Sequence, residues 1–166
     1  MDETTRQKAT ARFGERIHEV RTDFDELTLV VERDHAIELI KFLRDDSELK
    51  YLHLSDISCA DWPDREKRFG LVYHLFSFDL KSYVRIKVWL AEDEKMPTLT
   101  GEWDTANWLE REVYDMFGIT FSGHPDMRRI LMWDDFEGHP LRRDYPLTYE
   151  MPRFSHNKDN PPEVIK

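Results

Sequence analysis

FGLVYHLFSFDLKSYVRIKVWL, residues 69–90, reads as two β-strands, 69–78 and 82–90, joined by the short link Asp79-Leu80-Lys81. In the second strand Val84, Ile86, Val88 and Leu90 fall on one side, and Tyr83, Arg85, Lys87 and Trp89 on the other. Period-two alternation of this kind belongs to an antiparallel sheet with one face in a core. The opposite face mixes aromatic and basic groups. It is either solvated through cross-strand pairs or a face for docking.

Working outward, the apolar β-branched run Leu27 to Val31 predicts another strand, and residues 51–57 a further one. Between them Asp34 is placed to cap a helix over 35–44, with Ile37, Ile40 and Leu43 as its apolar stripe. Residues 4–16 read as an amphipathic helix, because Ala9, Phe13 and Ile17 recur every four residues. Residues 61–68 (DWPDREKR) form a charged turn broken by Pro63. Downstream, 92–101 reads as a loop and a hinge between two halves. Asp104 then caps a helix running to Phe117, with Leu109, Val113, Met116 and Phe117 buried and Arg111–Asp115 as an exposed ion pair. Gly118 sits where a helix-terminating glycine belongs. The expected fold is therefore α+β: two layers, a mixed but mostly antiparallel sheet with a few helices packed on it, followed by an irregular C-terminal extension. One domain over 1–146 and an extended arm over 147–166 are expected.

Composition narrows the function. The 166 residues contain one cysteine, Cys59, which excludes an internal disulfide, and a chain with one thiol cannot supply the usual four ligands of an iron–sulfur cluster. A net charge of −10 argues against nucleic acid as the main partner. No apolar run of about 18 residues offers a membrane span. The N-terminus lacks an apolar signal region, which argues against secretory export.

Residues 110–146, EREVYDMFGITFSGHPDMRRILMWDDFEGHPLRRDYP, carry the chemistry. Two related units occur, His124-Pro125-x-x-Arg128-Arg129 and His139-Pro140-x-Arg142-Arg143. Adjacent arginines on extended chain point to opposite sides, so one of each pair can serve the domain and the other a partner. Three readings compete. His124, Asp126, His139 and Asp144 have donor types suited to a metal, but helical ligand spacing is missing and the arginines oppose a cation. Glu110, Glu112 and Asp115 with His124 could form an acid–base site, although carboxylates on a helix are commonly a solvated face. An interface is the third reading, since residues 101–154 hold 10 of the 21 aromatics alongside the arginines. Some of these rings would close the core and the rest meet a partner.

The order and spacing of Glu110-Arg111-Glu112-x-Tyr114-Asp115-Met116-Phe117-Gly118, His124-Pro125-Asp126-x-Arg128-Arg129 and Gly138-His139-Pro140-Leu141-Arg142-Arg143-Asp144-Tyr145-Pro146 closely resemble the signature of one family, the 30-kDa subunit family of bacterial NADH–quinone oxidoreductase, respiratory complex I. The resemblance implies a non-catalytic structural subunit of the peripheral arm with no independent catalytic centre. It implies no cofactor or metal in this chain, with FMN, iron–sulfur clusters and quinone in partner subunits. Those partners would be chiefly the large 49-kDa-type quinone-site subunit and cluster-bearing neighbours. The expected place is the cytoplasmic face of the bacterial inner membrane, peripheral through the complex. Glu110, Arg111, Glu112, Tyr114, Asp115, Phe117, His124, Pro125, Arg128, Arg129, His139, Pro140, Arg142, Arg143, Asp144 and Tyr145 are the implied partner-interface residues. In some relatives this subunit is fused to its large neighbour; a chain ending at Lys166 is expected to be separate. The same fold in an energy-converting hydrogenase or a plastid-type complex is the alternative.

Overall fold

Over residues 2–148, which the computed structural model describes, the chain runs α1 (Asp2–Phe13), a 3-10 turn (Gly14–Arg16), β1 (Ile17–Asp23), β2 (Glu26–Val31), α2 (Arg33–Asp45), β3 (His53–Asp61), β4 (Phe69–Ser77), β5 (Ser82–Leu90), β6 (Met96–Pro97), α3 (Ala106–Phe117) and β7 (Phe121–Ser122). The strand pair predicted from residues 69–90 forms, antiparallel, with Tyr73 opposite Ile86. It lies within a five-stranded sheet of order β1-β2-β5-β4-β3. Only the β2–β5 contact is parallel, so the sheet is mixed and mostly antiparallel as expected. The expected arm over 147–166 lies outside the described residues from 149 onward.

Val84, Ile86, Val88 and Leu90 are fully buried. They share one core with Leu39, Ile40 and Leu43 of α2, Ala9 and Phe13 of α1, and Val113 and Met116 of α3. All three helices thus lie on the same side of the sheet, giving two layers. Strand β3 changes register between Leu54 and Asp56. A bulge there inserts one residue, so Leu54 and Ile57, three positions apart, both enter the core.

Four expectations need correction, among them the cap of α3, whose N-cap position is Thr105 rather than Asp104, and one strand was not anticipated. Strand β1 was hidden in a polar sequence, IHEVRTD; it is an edge strand with only Ile17 and Val20 turned partly inward across a register shift. The first helix stops at Phe13, because Gly14 adopts φ +47° and breaks the helical path. Helix α2 starts at Arg33, not after Asp34, and its N-cap position is Glu32, whose side chain makes no capping bond. Residues 92–101 are no hinge: Met96 and Leu99 are buried, and β6 pairs in parallel with β7.

The β1–β2 hairpin turns through Phe24 and Asp25, both with positive φ (52° and 62°) and neither a glycine. A two-residue hairpin loop with both residues left-handed matches the twist of the strands, but each non-glycine there carries a steric cost. Asp25 has no side-chain partner among the described contacts. Replacing it, Asp25→Gly, should raise stability by about 1 kcal/mol. A urea midpoint that rises with an unchanged slope is the expected outcome.

Candidate functional site

Helix α3 forms because Val113, Met116 and Phe117 place a stripe against β3, and it ends where Gly118 turns left-handed at φ +81°. An ending helix leaves its last carbonyls without intrahelical partners. Here the irregular segment after it supplies them. Gly118 N–H donates to the Tyr114 carbonyl, Leu141 N–H to Met116 (3.1 Å), and Arg142 Nε to Phe117 (2.6 Å). The Asp115 carbonyl accepts from Arg129 Nη1 (3.2 Å) and from His139 Nδ1 (3.0 Å). Two guanidinium groups therefore stand at the negative end of the helix dipole, where cations are favoured. A Cβ on Gly118 would lie 2.6 Å from both the His139 ring and Arg142 Nη2. Only glycine allows this approach.

The Asp115 side chain is the second anchor. It is 0% exposed. Its Oδ2 accepts the backbone N–H groups of Ile130, Leu131 and Met132 at 2.8–3.0 Å, and Oδ1 accepts Arg129 Nη1 at 2.6 Å. Arg129 Nη2 reaches on to the carbonyls of Phe136 and Gly138, both at 2.9 Å. Burial pushes the Asp115 pKa upward. The bonds from Met132, Arg129, Leu131 and Ile130 outweigh it, and the carboxyl ends below its ordinary value. The expected exposed Arg111–Asp115 pair does not exist: Arg111 instead donates to the carbonyls of Arg128 and Arg129. Helical spacing allowed that pair, but a buried carboxylate facing four donors wins over a solvated i, i+4 contact.

A third anchor ties the 61–68 turn to the end of the segment. Arg68 holds buried Asp61 with two bonds, 2.8 and 2.6 Å, and Arg143 N–H donates to the same carboxylate at 2.9 Å. Arg68 Nη1 also reaches Asp144 at 3.1 Å. Arg142 pairs with Glu92 at 2.5 Å and lies over the Phe69 ring. The hydrogen bond from Arg68 outweighs burial and lowers the Asp61 pKa.

Glu110 is likewise 0% exposed, so it lies on no solvated face. Leu99 N–H donates to it at 2.6 Å and Thr98 Oγ1 at 2.5 Å, which holds the 96–100 strand-and-loop against α3. Burial pushes its pKa up to about 7. Among the described residues the buried Tyr73 hydroxyl, which feels the Glu110 charge, has no hydrogen-bond partner.

The two histidines do not meet in a ligand set. His124 Nε2 bonds the Asn107 carbonyl at 3.2 Å while Nδ1 accepts the Asp126 N–H at 3.0 Å. With Nδ1 accepting, the Nε2 atom is the one that donates to the Asn107 carbonyl. His139, bonded to the Asp115 carbonyl, has a pKa lowered by burial. Among the described residues no group of three or more His, Cys, Asp and Glu lies close enough to hold a metal.

The predicted arginine division holds on its inward side. Arg129 and Arg142 turn into the domain. Arg128 is 75% exposed along its side chain and, among the described residues, is paired with Asp126 alone, and Arg143 is exposed. Of the implied interface residues, Glu110, Asp115 and Phe117 are buried in their own chain, while Glu112, Pro125, Arg128, Arg143 and Asp144 are exposed; Arg111, Tyr114, His124, His139, Pro140 and Tyr145 are half-buried. Sequence reasoning passed over Leu131 (60% exposed), Trp133 (54%), Leu141 and Trp108 as surface groups. Their signal was available: large apolar residues in a segment without regular elements to bury them.

Comparisons with known proteins bear on the family and the fold. The family described as "Respiratory-chain NADH dehydrogenase, 30 Kd subunit" matches residues 29–151. The C subunit of NADH-quinone oxidoreductase from Mesorhizobium japonicum is 46% identical over 133 residues, 80% of this chain and 66% of the relative. Its counterpart in Azorhizobium caulinodans is 48% identical over 75% of this chain and 59% of the relative, and that of Brucella ovis 49% identical over 82% and 68%. The chain thus spans about two thirds of the length of these curated relatives or less. A trypsin-resistant fragment (1-134) of Nqo5 superposes with a TM-score of 0.65 at 32% identity, covering 75% of this chain and 97% of the fragment. A chain of the membrane-bound sulfane sulfur reductase, an archaeal respiratory membrane complex, superposes at 0.75 with 25% identity, covering 88% of this chain and 86% of that one.

The network makes two stability predictions. Asp115→Ala leaves Arg129 charged and half-buried with three orphan N–H groups. It should cost about 3–5 kcal/mol by urea unfolding, whereas Arg128→Ala should change stability by no more than about 0.5 kcal/mol. Glu110 gives a pH dependence of opposite sign to the aspartates. Its folded pKa of about 7 lies above the ordinary 4.5. The unfolded chain therefore loses its proton first, and stability falls as pH rises through that window. Asp115 and Asp61, with lowered pKa values, contribute stability that is lost on acidification below their ordinary 3.8. Glu110→Gln should flatten the profile between pH 4.5 and 7. It should leave the chain roughly 2–3 kcal/mol more stable than the parent at pH 8. A parent profile that is already flat there would contradict the assignment.

Proposed function

This chain belongs to the family of the 30 Kd subunit of respiratory-chain NADH dehydrogenase, and on that premise we propose that it is a non-catalytic docking subunit of the peripheral arm of a proton-translocating NADH:quinone oxidoreductase. Its residues 124–146 would seat against the large quinone-site subunit, with cluster-bearing chains nearby. FMN, iron–sulfur clusters and quinone would reside in those partners. The chain would sit at the cytoplasmic face of the bacterial inner membrane, peripheral through the complex. Among the described residues no helix is long and apolar enough to cross a membrane.

One observation carries this reading. Leu131 and Trp133 project large apolar side chains outward from a backbone that is rigidly hydrogen-bonded to buried Asp115. A preorganised apolar surface loses little entropy on binding, and Trp and Arg are the anchors that most often dominate such contacts. Trp133 is itself braced edge-on against Phe136, which stacks on Tyr145. Leu141 opens on a shallow groove between β3 and α3, beside Glu112, Met116 and Phe117. The exposed arginines at 128 and 143 can orient the partner through charge, while the apolar groups supply the adhesion.

The likeness to a chain of the membrane-bound sulfane sulfur reductase favours one second reading: the same domain serving in a respiratory membrane complex that reduces sulfane sulfur. Purification of the tagged chain from detergent-solubilised membranes separates the two. Recovery with flavin- and cluster-bearing chains that oxidise NADH supports the first; recovery with cluster-bearing chains lacking that activity supports the second; recovery alone removes both. Within the first reading, a combined Leu131→Ala and Trp133→Ala replacement should lower incorporation into the complex at least tenfold, as about 1.4 kcal/mol or more of lost contact energy requires. The unfolding midpoint of the isolated chain should move little. Arg142→Ala should behave oppositely, losing stability in the isolated chain, because it removes the partner of the Phe117 carbonyl.

A further inference from the structure

The helices leave one whole face of the sheet without a covering element among the described residues. The register sets Val30, Lys87 and Val72 in one row across this face and Thr28, Arg85 and His74 in the next. A cavity of about 180 Å³ opens there, with Arg21, Arg85, Lys87 and Trp89 on its walls together with Glu19 and Asp23. Central strands seldom present half-buried cations without a reason, since burying charge is costly unless it is paired.

Both central cations are short of counter-charge. Lys87 Nζ rests on the rings of Trp89 (4.2 Å) and Trp62 (5.9 Å), and among the described residues it forms no ion pair. Among the described residues Arg85 has a single carboxylate, Glu26, at 3.6 Å, and its buried Nε finds no hydrogen-bond partner there. Burial lowers the Lys87 pKa, and Arg21 and Arg65 lower it further, against the opposing pull of Glu19. Glu19 itself is bound to Arg21 at 2.5 Å. The placement of Lys87 and Trp89 is built: a Cβ on Gly70 would come within 3.1 Å of Lys87 Cε and of the Trp89 ring, so glycine lets both side chains lie flat over β4. Arg65, from the 61–68 turn, closes over Trp89 at 4.0 Å.

We propose that this open face is a second docking surface, which receives an acidic side chain from a neighbouring subunit, its carboxylate seated between Lys87 Nζ and Arg85 while Trp62 and Trp89 pack against the same segment. A single negative charge fits better than phosphate or a polyanion, because Glu19 and Asp23 on the cavity wall repel further charge. The aromatic flanks suit a polypeptide, since Tyr83, Phe76 and Phe78 lie in ring contact at the other end of the same face. This inference rests on the chain being one subunit of a larger assembly.

Zero-length carbodiimide coupling of the intact detergent-purified complex tests it, since that reagent joins an amine only to a carboxyl in contact. Peptide mass spectrometry should find Lys87 linked to an Asp or Glu of a different subunit. Lys87→Arg should abolish that link while the complex still assembles, and Lys87→Glu should lower incorporation of the chain at least tenfold. Coupling of Lys87 only to Glu19 or Glu26 of its own chain, or to a second copy of it, would overturn the proposal. So would an unlinked Lys87 that acetic anhydride modifies as fast as it does exposed Lys50. A chain that purifies without companions defeats the subunit assignment itself; a chain that co-purifies with Lys87 unlinked and acetylated as fast as Lys50 defeats this inference alone.

Discussion

The Asp115 carboxylate, within the last turn of α3, gathers three consecutive backbone N–H groups and a guanidinium. Without it residues 130–132 would have neither sheet nor helix to satisfy their donors, since the segment forms no regular element after β7. The carboxylate substitutes for secondary structure. Its partner Arg129 then carries the same order forward to the carbonyls of Phe136 and Gly138. A stretch composed to look like a loop thereby acquires a fixed shape through one largely buried ion pair, in which both carboxylate oxygens accept from donors of the same segment.

The helix end and the segment depend on each other. Asp115, Met116 and Phe117 offer carbonyls that α3 cannot use, and His139, Leu141, Arg142 and Arg129 need acceptors because they lie outside any ladder. Gly118 makes the exchange possible by turning left-handed and by having no side chain where His139 and Arg142 approach. The order of the motif, helix, glycine, first His-Pro unit, second His-Pro unit, is the order in which these groups must arrive at one point.

Elements with a strong period were legible in the sequence. The β4–β5 pair, β2, α2 and the Gly118 terminus all follow from side-chain alternation or local chemistry that tertiary contacts do not override. Strand β1 was not legible, because an edge strand that buries little carries little period; Ile17 and Val20 alone mark it. The β6–β7 pairing was invisible for a different reason: two-residue strands joined across 24 positions leave no local trace. The Arg111–Asp115 pair failed because spacing on a helix says which residues can meet, not whether they face water or the core. For Glu110 the same limit applied, and a carboxylate read as surface charge proved to be an internal clamp on Leu99. In the site, the division of each arginine pair was readable from chain geometry, but which member turned inward required the fold.

The acid–base and metal readings drew on the same residues that the structure uses to hold itself together. His124 has both ring nitrogens engaged by backbone groups, His139 is committed to the Asp115 carbonyl, and Glu110 and Asp115 are enclosed by donors of their own chain. These four groups are committed to hydrogen bonds within their own chain, whereas Glu112, the remaining member of the acid–base reading, is exposed. Among the groups turned outward are Leu131, Trp133, Leu141 and Arg128 at one end, and the open face of the sheet carries the half-buried Lys87 and Trp89. The first is apolar with a positive rim and the second cationic with aromatic flanks. Two surfaces of different chemistry on different sides of the domain suit a protein that joins neighbours to one another. On the proposed reading, apolar burial would select the partner at the first and charge pairing at the second, so neither surface would compete for the other's neighbour.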